Sequence, residues 1–88
     1  MKFVDVKVFR EERFSVEKDI ESDRIFITFP VYNGLSEYSE FYEISNEEFN
    51  KFSNDLDLLK IFVNECKNYK HDNRLLMKPG RIRGRPPL

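Results

Sequence analysis

The chain has 88 residues, 40 % hydrophobic and 35 % charged, which describes one globular domain and excludes a disordered segment. Such a short chain buries only about 60–65 % of its unfolded surface, so its core has to be dense, and nine Phe and four Tyr supply the area. The net charge of −1 conceals a polarity: residues 11–65 carry fourteen acids against five bases, and residues 66–88 carry seven bases against Asp72 alone.

A single Cys excludes an internal disulfide and a cysteine zinc cluster. No apolar run is long enough to span a membrane, and the start MKFVDVKVF lacks the uninterrupted apolar region of a signal peptide. The expected location is the cytoplasm.

Residues 2–9 alternate, with Val4, Val6 and Val8 on one face, and predict a strand whose valine face is mostly buried. Residues 10–23 are charged, with Phe14, Val16 and Ile20 as anchors, and fit a second, weaker strand or an irregular connection. Residues 24–32 (RIFITFPVY) carry the strongest strand pattern, with Ile25, Ile27, Phe29 and Val31 sharing a face. Pro30 has no ladder donor, which places that end at a sheet edge or a bulge. Asn33-Gly34 matches a two-residue hairpin turn, leading into a strand over residues 35–44.

Residues 44–69 predict one long helix on which everything N-terminal packs. Ser45 and Glu48 form a capping box, with Ile44 and Phe49 as the hydrophobic staple. Phe49, Phe52, Leu56, Leu59, Val63 and Cys66 recur at steps of three and four, one apolar stripe widened by Leu58, Phe62 and Tyr69. Only Ser53-Asn54-Asp55 interrupts it; these residues favour caps and turns, so a break there would make Asp55 start a second segment. Leu75, Leu76 and Met77 suit a short strand, and the Pro, Gly and Arg content beyond them suits an extended tail. The expected fold is therefore α+β: an antiparallel sheet of three to four strands against one long helix. Residues 1–78 form the domain, and residues 79–88 form a basic tail packed on it.

Three features bear on function. Arg83-Gly84-Arg85-Pro86 matches the core of an AT-hook, in which arginines enter a narrow A·T minor groove and glycine allows close approach. Arg81, Arg83, Gly84 and Arg85 would then contact DNA. Against this, the acidic body repels a duplex, and such hooks accompany other DNA-binding units. Cys66 and His71 lie five apart, but Cys66 falls on the apolar stripe, where it acts as a small hydrophobe, and His71 in a polar turn. No catalytic residue, metal or cofactor is expected. The acidic run is more informative: Glu37, Glu40, Glu43, Glu47, Glu48, Asp55 and Asp57 stand against Lys51 alone within 21 residues. Helix capping and the helix dipole account for Glu47 and Glu48. Glu37, Glu40 and Glu43 have no such local reason, and Tyr38 and Tyr42 stand between them like interface anchors in a polar rim. The alternative is a solvated strand face.

The run PVYNGLSEYSEFYEIS, the following EEFNKFSNDLDLLKIFVNEC and the closing DNRLLMKPGRIRG resemble a family of small bacterial immunity proteins of contact-dependent growth inhibition systems. The similar blocks span residues 24–86. The resemblance implies a cytoplasmic protein that binds a toxin domain and blocks it stoichiometrically, without turnover or cofactor. It also implies that the closing segment belongs to the fold. Many such toxins are nucleases with basic clefts, which an acidic surface would steer onto and occupy. The expected contacts are Glu37, Tyr38, Glu40, Tyr42, Glu43, Asp55 and Asp57. Oligomeric state stays open.

Overall fold

A computed structural model describes residues 1–86; Pro87 and Leu88, the last residues of the expected tail, lie outside them. The strand pattern of residues 24–32 gives β3 (Ile25–Tyr32), an inner strand of one antiparallel sheet in chain order with β1 (Phe3–Phe9), β2 (Phe14–Asp19) and β4 (Glu37–Ile44). Ile25, Ile27, Phe29 and Val31 point to one face, level with Val16 of β2 and with Tyr38, Glu40, Tyr42 and Ile44 of β4. Two helices, α1 (Asn46–Asn54) and α2 (Leu56–Lys67), supply Phe52, Leu59, Phe62, Val63 and Cys66 to that core. A large apolar side chain taken fully from water contributes about 1.5–3 kcal/mol. The architecture is α+β, as the alternation and the helical stripe predict. No described helix is long and apolar enough to cross a membrane.

The other sheet face has its own small aromatic cluster. Phe26 is 0 % exposed there. Phe3 meets it edge-on at 5.5 Å, Phe41 at 6.2 Å, and the Arg24 guanidinium lies 5.2 Å from its ring centroid.

Four expectations change. The valine face of β1 is not buried: Val4, Val6 and Val8 are 44–46 % exposed. β1 is an outer strand, and a register shift between Asp5 and Lys7 puts a bulge at Val6. Val4 therefore lies opposite Lys18 and Val8 opposite Ser15, on opposite faces of the sheet. The anchors of β1 are its aromatic ends, Phe3 stacked on Phe41 at 4.7 Å and Phe9 on Phe14 at 4.5 Å.

The hairpin between β3 and β4 is not a two-residue turn, because Tyr32 pairs with Glu37 and leaves four residues in the loop. The Asn33 side chain accepts from Leu35 and Ser36 N–H, both at 2.9 Å, and only Gly34 takes a positive φ, whereas the tight turn needs two such residues.

The long helix is two helices. The capping box forms as predicted, with Glu48 N–H donating to Ser45 Oγ at 3.1 Å and Ser45 N–H to Glu48 Oε1 at 2.9 Å. Asp55 then ends α1 by donating its N–H to the Phe52 carbonyl, and starts α2 by accepting from Leu58 N–H at 3.1 Å. One side chain that can cap makes the break stable. Phe52 and Phe62, with centroids 5.1 Å apart, hold the two helices together.

Finally, the basic segment is a component of the sheet's end rather than a tail. After α2, Tyr69 takes φ 63° and turns the chain towards the 3-10 turn Asp72–Arg74. Leu75 makes a single bridge to Tyr42 in place of a short strand, and Leu76 N–H donates to the Phe41 carbonyl at 2.9 Å. Arg85 exchanges two backbone hydrogen bonds with Tyr32, at 2.8 and 3.0 Å. The β2 ladder has stopped at Thr28, so this flank of β3 is free. It is also the side that the donor-less nitrogen of Pro30 faces, two residues before Tyr32.

Candidate functional site

The densest polar constellation is built around Arg83. Its guanidinium donates to Glu40 at 2.9 and 3.1 Å, to Asp72 at 2.6 and 2.9 Å, and to Tyr42 Oη at 3.0 Å. The Tyr69 ring covers it, 3.8 Å from centroid to guanidinium carbon. The side chains of Arg83 and Glu40 are only 16 % and 5 % exposed. Tyr42 Oη donates to Glu40 Oε1 at 2.9 Å, with the Cys66 carbonyl alongside at 3.2 Å. Burial, and then the bond to Glu40, push the Tyr42 hydroxyl well above its ordinary range. The bonds to Asp72 and Glu40 raise Arg83, which keeps its charge. Gly84 follows in close quarters, since a Cβ there would meet Val31 and the Tyr32 nitrogen at 3.0 Å and force them to shift. Gly84 N–H donates to Tyr38 Oη at 2.7 Å, and its carbonyl accepts from Tyr69 Oη at 3.1 Å.

This network relocates several expected contacts. Glu40 and Tyr42 belong to the interior: β4 turns even-numbered residues to the core, so an acid and a hydroxyl inside that alternation had to find internal partners. Tyr38 is half-buried with its hydroxyl taken by Gly84. Glu43 faces the opposite side of the sheet and holds Arg24 through two bonds of 2.7 and 3.1 Å, which lower its pKa. Glu48 is held in the same way by Arg74, at 2.7 and 2.8 Å. Glu37, Asp55 and Asp57 remain exposed, but not together. Glu37 opens β4, at one edge of the sheet, whereas Asp55 and Asp57 flank Leu56, which shares a groove with Val6 and Lys7 of β1 at the other edge. The continuous acidic face is therefore split.

The arginine motif is divided too. Arg81 and Arg85 are exposed, with Arg85 5.3 Å from the Tyr69 ring centroid, while Arg83 and Gly84 are enclosed and not presented to a duplex. Cys66 is fully buried, and burial pushes its thiol up to about 12. His71 bonds Glu65 at 2.8 Å and packs on the Phe62 ring at 4.4 Å. Among the described residues no three His, Cys, Asp or Glu side chains gather as a metal would require.

Asp19 is a further polar centre, without any motif in the sequence. It accepts from Lys2 N–H at 2.8 Å, Glu21 N–H at 3.2 Å and Ser22 Oγ at 2.5 Å, and these bonds, Ser22 first, lower its pKa to about 2. It ties the start of β1 to the β2–β3 turn. No protein-family model, no curated protein and no solved structure matches this chain.

Proposed function

We propose that the protein is an immunity protein that neutralises a toxin domain with a basic surface, nucleases being the favoured class, by forming a stoichiometric complex. The resemblance of residues 24–86 motivates this reading, and one observation carries it. In the helical layer Glu47, Asp55 and Asp57 are exposed and in no ion pair among the described residues, Lys60 and Lys67 are drawn to Glu12, and Arg74 and Arg83 are turned inward onto Glu48, Glu40 and Asp72. The basic segment is thus partly neutralised within the molecule, and the helical side keeps its acid for a partner.

The test is retention of a polypeptide from source-cell lysate on the immobilised chain, followed by co-expression of the two. The reading expects a basic polypeptide, toxic alone and harmless with this chain, in a one-to-one complex that weakens as salt rises. Retention of nucleic acid alone, or a retained polypeptide that stays fully toxic, overturns it.

A further inference from the structure

Beside the β1 edge the helices leave an apolar groove of about 130 Å³, walled by Phe9, Val16, Phe49, Phe52 and Leu59, with Val6 and Leu56 at its mouth. Val6 and Leu56 are both exposed. Val4, exposed on the same face of the sheet, extends the apolar strip along β1. An uncovered apolar cluster of this extent marks an interaction surface rather than scattered exposure. Its depth suits one large side chain, the buried anchor from which interfaces draw most of their energy. The charges around it set the partner's chemistry. Asp55 and Asp57 flank Leu56, whereas Asp5 lies opposite Glu17 on the other face of the sheet. Asp55 uses one carboxylate oxygen on Leu58 N–H. Lys7 is the single cation in the lining, and its ammonium lies 5.2 Å from the Phe9 ring centroid. The bulge at Val6 breaks the regular spacing of outward backbone groups on β1, which disfavours addition of a whole strand.

We infer that this groove receives an apolar, preferably aromatic, side chain from a partner segment flanked by Lys or Arg, the cations meeting Asp55 and Asp57. The inference deepens the immunity reading and rests on it for the partner's identity, but the groove can be tested without the toxin. The probe is the capped pentapeptide KLFLK, titrated into the isotope-labelled full chain and followed by amide chemical shifts, with capped ELFLE as the control. Saturable shifts are expected at Val6, Phe9, Phe49 and Leu56, with ELFLE bound at least about ten-fold more weakly. Leu56→Lys and Val6→Lys, both at exposed positions, should each weaken KLFLK by about ten-fold or more while leaving the remaining amide spectrum in place. Equal binding of the two peptides, or shifts centred elsewhere, overturns the inference. The two readings also separate. A toxin that binds Leu56→Lys as tightly as the parent removes the groove and leaves the immunity function. A groove that binds KLFLK while no toxin is retained keeps the groove and removes the function.

Discussion

The two edges of the sheet face the same physical problem and solve it differently. Each outer strand presents backbone groups and apolar side chains with no neighbour. At β4 the chain returns: Leu75 and Leu76 pair with Tyr42 and Phe41, and Arg83 closes the end of the core with two carboxylates and two tyrosines. At β1 nothing among the described residues returns, and the strand is guarded by a bulge and by Lys7 among exposed valines. A closed edge gives up its side chains to internal partners, while an open one keeps them for others. The residues whose types suggest binding, Glu40, Tyr42 and Arg83, are the ones the closed edge consumes.

The largest effect that would sharpen this contrast is at Arg83. Arg83→Met should cost about 3–5 kcal/mol, because it leaves Glu40 buried without its counter-charge. The double variant Arg83→Met, Glu40→Met should recover much of that loss, since an apolar pair can replace a buried ion pair. Urea unfolding of both proteins decides it, and a double variant less stable than the single one would mean that the network acts mainly through Asp72 and Tyr69. Gly84→Ala comes next: its new methyl group meets Val31 and backbone at 3.0 Å, and overpacking of this kind costs about 1–3 kcal/mol. An unchanged midpoint would show that the segment is looser than its contacts indicate.

Asp55→Ala removes the cap shared by the helix junction and should cost about 1 kcal/mol. The helical far-ultraviolet signal at low denaturant reads whether α2 frays from that end. A pH experiment isolates the start of β1. The folded-state pKa of Asp19 is lowered to about 2 from an ordinary 3.8. Its contribution is therefore fully present above the ordinary value and is lost as pH falls through the folded one. Asp19→Asn should flatten the decline of stability between those two pH values, and a parent-like decline would assign it to other carboxylates. The smallest effect is expected on the open strand β1. Val8→Thr should stay within about 0.5 kcal/mol of the parent, and a larger loss would mean that β1 is covered in solution.

Much of the architecture was legible because several local signals agreed. Ser45 and Glu48 stand at capping-box spacing, the apolar stripe continues with period 3.6, and β3 alternates cleanly. Three things were not legible, for separate reasons. Alternation along β1 names two faces but not which is covered, and a single inserted residue at Val6 exchanges them midway. Glu40 and Tyr42 obey the inward period of β4, yet composition marks an acid and a tyrosine as surface residues. Their partner Arg83 lies 43 and 41 positions away, beyond any local pattern. Asp19 holds three donors within its own turn and the strand start, a role that its identity alone does not announce. Of the expected contacts, only Glu37, Asp55 and Asp57 kept an exposed position, and the sheet order separated Glu37 from the other two.

The distance along the chain between Arg83 and Glu40 also has a consequence for synthesis. The ribosome makes Glu40 and Tyr42 well before the guanidinium that neutralises the one and covers the other. During that interval the nascent chain can form the hairpin and the helices, whose contacts are near in sequence. Glu40 must meanwhile stay hydrated, because an ionised acid is not buried without a partner. Closing this end of the sheet therefore takes an electrostatic latch whose two halves lie 43 positions apart, and a chain cut before residue 83 would leave Glu40 without its counter-charge and that end of the sheet wet.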